Sequence, residues 1–385
     1  MESPFFTEEH RLLREQVRGF IAREVTPHGD AWEAQGHVPR EVLRKLGDLG
    51  LLGMRHPEQF GGSDLSVLDS VVFAEELGRS TYGGFNNTVL VHTDMASPHI
   101  THLGSPAQQA RYLPDIVAGK CITAIAVTEP DHGSDVANIR TAAKKEGDGW
   151  VLNGAKVFIT NGVLADLVIV LARTDASAKP SRGLSMFLVE RDTPGFRVAR
   201  QLDKMGWHSS DTAELVFEDC RLPADALLGE ENAGFYAIMG NFQAERLVLA
   251  AGAVGECLAG LAITLQYVRT RQAFGAPLWD KQHIRLRLSE HAASVEAARQ
   301  LVYHAAWLVA QGRDAVREVS MAKALCGDLV NRVLYDCQQF HGGFGYMREA
   351  PIERMVRDAR VQAIGGGATE VMLEEVAKRL DPERF

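Results

Sequence analysis

The chain has 385 residues, 46% apolar and 24% charged, an ordinary globular balance with room for two or three domains. Its formal net charge of -9 argues against nucleic acid as a main partner, because phosphate binding needs a basic footprint. The five cysteines (Cys121, Cys220, Cys257, Cys326, Cys337) form no CxxC pair and no His-spaced cluster, so they read as reduced core thiols and not as metal ligands.

The N-terminus, MESPFFTEEHRLLRE, carries acids before any apolar core, unlike a signal or transit peptide. No run approaches the roughly 18 consecutive apolar residues of a membrane span. A cytoplasmic protein with no membrane span is therefore expected.

Thr7 followed by Glu8 and Glu9 starts a helix, with acids near the positive end of its dipole. Leu12, Leu13, Val17, Phe20 and Ile21 recur at helical spacing until Pro27. Pro39–Leu49, Ser66–Leu77 and Pro106–Val117 are further amphipathic helices. From about Cys121 the period changes. Residues 122–128, 150–152, 155–160, 166–172, 184–189 and 214–217 are short and β-rich, separated by turn signals such as DHGSD, EGDG and RDTPG. From about Glu231 the helical pattern returns, with long runs at 235–271, 281–311 and 315–340 suited to an antiparallel bundle. The expected class is α+β: an N-terminal helical domain (1–120), a central antiparallel β domain (121–230) and a C-terminal four-helix-bundle domain (231–385).

Four motifs carry possible chemistry. Val127-Thr128-Glu129-Pro130-Asp131-His132-Gly133-Ser134 follows a β-run and can offer N–H and hydroxyl groups to a polar cofactor edge, or can be a plain polar turn. Lys156-Val157-Phe158-Ile159-Thr160-Asn161-Gly162 reads as a strand ending in an ordinary Asn-Gly turn. Arg269–Leu278 ends a long helix with Arg271 and Phe274; arginine there can serve the helix dipole or a pyrophosphate. Gln339–Tyr346 interleaves three glycines with aromatics, which lets backbone approach a flat or phosphorylated ligand; a helix cap explains only one of the glycines.

In this order and spacing the motifs resemble the acyl-CoA dehydrogenase family over nearly the whole chain. Gly61-Gly62, Glu75–Gly78 and Met355–Arg360 extend the resemblance. It implies an FAD enzyme acting on an acyl-CoA thioester, passing electrons to an electron-transfer flavoprotein, and working as a homo-oligomer, a tetramer being usual. It places the isoalloxazine ring against residues 125–134 and 158–160, that is Ile125, Val127, Thr128, Gly133, Ser134, Phe158, Ile159 and Thr160. Phe158 stands where the family has Trp, keeping an aromatic face but losing an indole N–H. Asp131 and His132 replace small residues, and His132 reads as solvated surface. Arg271, Phe274, Gln282, Gln339, Gly342 and Gly343 would hold the adenosine diphosphate part across a subunit boundary, and Ala368, Thr369 and Glu370 would also border the cofactor.

Removing an α-proton from a thioester needs a carboxylate in a dry pocket. Many family members carry this Glu just before a Gly-Thr pair, a position that is Gly366 here. Glu370 lies a helical turn later and is not a shifted copy, because Met355–Arg360 fixes the alignment. The other acid is Glu245, inside an apolar helix. On spacing alone a structural ion pair is an open alternative. The isovaleryl-CoA and long-chain members place their base at this position, followed by Arg-Leu, with Gly at the other. Glu245 is therefore the expected base, Arg246 a supporting cation, and the Gly366 N–H a donor to the thioester oxygen. Ser134, Phe242, Glu245, Arg246 and Gly366 are expected at the substrate.

Two other readings remain: a flavin oxidase or monooxygenase on the same fold, and a non-catalytic acyl-CoA or acyl-carrier binding subunit. The family's acyl tail runs near residues 85–100, where His92, Thr93 and Asp94 are read as a capped surface turn.

Overall fold

The computed structural model describes residues 4–384; residues 1–3 and 385, the outermost ends of the sequence-defined first and last domains, lie outside it. The first domain is helical: α1 (Glu8–Phe20), α2 (Gly29–Gln35), α3 (Arg40–Asp48), α4 (Val67–Gly78), α5 (Gly83–Leu90), α6 (Pro98–Leu103) and α7 (Pro106–Val117). Ser66 caps α4 and Ser105 caps α7, each through a reciprocal capping box that satisfies end N–H groups. Between α5 and α6 the chain continues as a π-helical stretch, Val91–Ala96. This corrects the expected surface turn, because His92, Thr93 and Asp94 are all buried. Buried on every side, the segment shows no amphipathic stripe to betray a helix.

The central domain holds β1 (Thr123–Ala126), β2 (Ala142–Glu146), β3 (Gly149–Thr160), β4 (Leu167–Arg173), β5 (Leu184–Glu190), β6 (Phe196–Gln201), β7 (Thr212–Leu222) and β8 (Leu227–Leu228). They form one sheet in the order β6-β7-β3-β2-β4-β5-β8, largely antiparallel, with β1 joining β4 in parallel. The two β-runs at 150–152 and 155–160 are one strand. Strands β4 and β5 read as continuous apolar runs because both faces are covered. Val168, Val170, Phe187 and Val189 enter one core, while Leu167, Ile169, Met186 and Leu188 enter a second that includes α6, α7 and the start of the next helix.

That helix, α8 (Gly234–Thr270), spans the molecule. A short hairpin follows, β9 (Gln272–Ala273) and β10 (Ala276–Pro277), then α9 (Gln282–Ala310), α10 (Val316–His341), α11 (Pro351–Ala359) and α12 (Thr369–Ala377). One window of α8 is long and apolar enough on average to cross a membrane, although no run of consecutive apolar residues reaches that length. Of that window, 78% is buried inside the molecule, as in a central core helix packed on all sides. Close approach to α4 requires glycine: a β-carbon on Gly255 would meet the Glu75 carbonyl oxygen at 2.1 Å. Beside this crossing, Glu75 and Glu76 are buried but paired with Arg14, Arg18 and Arg299, which accounts for the Glu75–Gly78 motif structurally.

Candidate active site

Glu245 lies in the first third of α8, half-buried between Ala244 and Leu247 of the core. It makes no ion pair within 4.0 Å and no side-chain hydrogen bond among the described residues, so the structural ion-pair alternative has no partner here. Burial pushes its carboxyl up to about 7, while the charges of Arg246 and Lys323 pull the other way. Such a group can exist as carboxylate or acid near neutral pH, as a general base requires.

Opposite it runs the turn between α11 and α12. Gly366 has φ +63° and Gly367 φ +102°, a left-handed path open chiefly to glycine. A β-carbon on Gly366 would lie 3.6 Å from Glu245 Oε1. The Gly366 N–H donates to no backbone acceptor among the described residues. Arg246 sits beside the same turn: its Nε, 3.6 Å from where a Gly367 β-carbon would be, is buried without a partner. Its guanidinium lies 5.4 Å from the Phe242 ring centroid. Three of the expected substrate residues on α8 thus converge with Gly366. Thr369 gives its hydroxyl to Asp328, and Glu370 is exposed at the start of α12 after Ala368.

The Thr-Glu-Pro loop and the second motif are joined by an ion pair that sequence spacing did not reveal. Lys156, with 0% exposure, donates to Glu129 Oε1 and to the Val127 carbonyl, both at 2.9 Å. Glu129 also accepts from the N–H groups of Arg140 and Thr141. The Val157 N–H donates to the Thr128 carbonyl at 2.9 Å. Held this way, β3 bulges between Lys156 and Ile159, and Phe158 is turned outward with φ +61° and 68% exposure. An outward aromatic on strained backbone presents a flat face. Ile159 is buried behind it, Thr160 accepts from Asn87, and Ile125 and Val127 pack against the second β core. Gly133 and Ser134 are exposed, and a Gly133 β-carbon would meet nothing within 4 Å. His132 is not solvated as expected: 13% exposed, it folds back over Glu129 with Nδ1 4.0 Å from Oε2. The Asn-Gly turn does more than reverse the chain, since buried Asn161 donates to the carbonyls of Thr88 and Thr123 and ties the first two domains together.

A separate cavity of about 930 Å³ lies at the far end of α8, lined by Arg271, His283, Gln339, Gly342 and Gly343 among others. Gly342 and Gly343 have open space where side chains would stand. Gln282 begins α9 beside it. Phe274 and Gly275, both with positive φ, form the tip of the β9–β10 hairpin, and Phe274 is 96% exposed. A flat aromatic seat, an open glycine cradle and an arginine cavity suit the ring and the diphosphate of a dinucleotide such as FAD.

The arrangement is that of a flavoprotein oxidoreductase, with an unpaired carboxylate set in an apolar stretch of α8. The chain matches the acyl-CoA dehydrogenase N-terminal, middle and C-terminal domains over residues 7–120, 124–220 and 232–381, and belongs to that family. It is 45% identical to the long-chain specific acyl-CoA dehydrogenase of Mus musculus mitochondria, covering 97% of this chain and 87% of that one. An acyl-CoA dehydrogenase structure from Geobacillus kaustophilus superposes with TM-score 0.95 at 42% identity, covering 99% and 100% of the two chains. A glutaryl-CoA dehydrogenase from Mycobacterium smegmatis, solved with FADH2, superposes at TM-score 0.92 and 29% identity, covering 97% and 95%. The protein is an FAD-dependent oxidoreductase of this family.

Proposed function

We propose that the enzyme removes the α- and β-hydrogens of an acyl-CoA thioester to give the trans-2-enoyl-CoA, with Glu245 as the base. The observation that carries this is a carboxylate without an ion partner beside a glycine turn whose Gly366 N–H donates to no backbone acceptor among the described residues. Glu245 takes the α-proton at its carboxylate. The Gly366 N–H receives the thioester oxygen as negative charge grows there, which acidifies the α-carbon. Val248 and Leu249, buried one turn along α8, give the carboxylate apolar neighbours, and Arg246 limits how far burial raises its pKa. Bound FAD supplies the hydride acceptor. Phe158, Thr160 and the Val127–Ser134 loop seat its ring; Arg271, Phe274, Gln282 and Gln339–Gly343 seat its diphosphate end.

These two seats point to an oligomer. Arg271 closes α8 roughly 39 Å along the axis from Glu245, at about 1.5 Å per residue. That span supports a diphosphate seat that serves the flavin of a neighbouring chain, and a dimer of dimers is the proposed assembly. The exposed Phe274 would be covered there. Electron-transfer flavoprotein is the proposed acceptor and fatty acid β-oxidation the proposed setting. The free cysteine thiols favour a reducing, cytoplasmic compartment. The long-chain relatives favour an extended acyl chain as substrate.

The test is anaerobic flavin bleaching by a panel of acyl-CoAs, from branched short chains to palmitoyl-CoA. Fast bleaching with enoyl-CoA product supports the reading. A bound flavin that no acyl-CoA bleaches would favour a binding subunit, and rapid oxygen consumption with substrate an oxidase.

A further inference from the structure

Lys323 stands on α10, only 2% exposed, among apolar neighbours that include Ala322 and Cys326. A lysine ammonium has three N–H donors and no acceptor. Two of the three are placed: Nζ donates to the Gln362 carbonyl at 2.7 Å and to the Gly367 carbonyl at 3.2 Å. These carbonyls bracket the turn that carries Gly366. α10 can come this close because Gly327, one turn along, has no side chain; a β-carbon there would meet the Gln362 oxygen at 2.7 Å. Gln362 is fixed from its other end, its amide donating to Glu256 Oε1 at 3.1 Å on α8. A buried cation needs a compensating charge, and among the charged groups acting on Lys323 the first is Glu245.

We propose that Lys323 is a positioning residue for the dehydrogenation, pinning through two carbonyls the glycine turn that carries Gly366 and setting a positive charge behind that turn on the side of Glu245. The proposal rests on the reading of Glu245 as base. Lys323 touches neither reacting atom. It acts on the donor through two carbonyls and on the base through charge. The other charged or titratable groups around the pair are Arg246 and Glu256 on α8, Cys326 and Asp328 on α10, and Glu375 on α12, which faces Arg246. Of these only Arg246 adds a second positive charge beside Glu245, so removing Lys323 leaves the carboxylate with one cation instead of two. An ammonium that only filled space would leave the titration of the base alone.

The experiment is stopped-flow reduction of the FAD-loaded oligomer by its best acyl-CoA, without oxygen, across the neutral pH range. In Lys323→Met the acid limb of the rate profile moves to higher pH by about one unit, the scale of losing a nearby opposite charge. Lys323→Arg keeps the limb where the parent has it, whatever happens to the plateau. If Lys323→Met does not fold, Lys323→Gln is read in the same way. A folded, FAD-loaded neutral variant with an unmoved limb overturns the proposal. Glu245→Gln, measured alongside, separates the two claims. If that variant reduces flavin normally, the base assignment itself fails; if it is inactive while the Lys323 limb stays put, only the role of Lys323 fails.

Discussion

Gly366 and Glu245 face each other across the site: a β-carbon added to the glycine would lie 3.6 Å from the Glu245 carboxyl oxygen, though the two are separated by most of the C-terminal domain in sequence. A carboxylate on either element could therefore serve the same α-carbon. The two positions are not freely exchangeable, however. The same added β-carbon would sit 2.1 Å from Leu249 Cδ1, and the backbone there has φ +63°.

Moving the base should consequently require a third change. Glu245→Gly with Gly366→Glu alone should be only weakly active, because the buried Leu249 side chain would have to swing into another rotamer, and the left-handed backbone costs a further ~1–2 kcal/mol for a residue with a side chain. Adding Leu249→Ala should restore measurable flavin reduction. Recovery in the double variant equal to the triple would show that the turn is more pliable than its packing suggests.

Cross-chain assembly of the site can be tested by complementation. Glu245→Gln and Arg271→Glu chains should each form inactive homo-oligomers. A hybrid pair contains one site that combines an intact base with an intact Arg271 if the two come from different chains, and none if they come from the same chain. Activity on unfolding and refolding the two together supports the shared site; hybrids confirmed by mass that stay inactive contradict it.

Glu256 offers a stability test away from the chemistry. Burial pushes its carboxyl up to about 8, and Oε2 has no partner. A raised folded-state pKa means a contribution that is fully present below the unfolded carboxyl value and lost as pH rises through about 8. Glu256→Gln, which cannot ionise, should therefore match the parent near pH ~4.5 and exceed it at alkaline pH, by an amount on the order of a few kcal/mol. Thermal unfolding at the two pH values measures the difference. A destabilised variant at both would mean that the Gln362 bond needs the carboxyl itself.

The α–β–α order was legible because the period changes from 3.6 to 2 and back at residues where composition also shifts. That Glu245 stands in an apolar stretch of helix was legible from the run AERLVLAAGAV, while spacing alone left an ion pair open as its reason. What stayed hidden was non-local. Strand β2, Ala-Ala-Lys-Lys-Glu, buries little beyond Ala143, so its sequence looks like a turn although it sits between β3 and β4. His92 and Asp94 are polar inside a helix with no exposed face, which hides both the helix and their burial. Lys323 and Lys156 look like solvated charges in sequence. Only the crossing of α10 over the glycine turn, and of β3 behind the Thr-Glu-Pro loop, shows that they are enclosed.

The central claim is the identity of the base, and Glu245→Gln tests it most directly, since it keeps the side-chain volume and removes the proton acceptor. Anaerobic mixing of the FAD-loaded variant with substrate should show normal acyl-CoA binding and flavin reduction slowed by roughly 10²–10⁴-fold, the share a positioned base contributes, while Glu370→Gln reduces flavin almost as the parent does. Reduction at the parent rate in Glu245→Gln, with loss in Glu370→Gln, would contradict the account and move the chemistry to the start of α12.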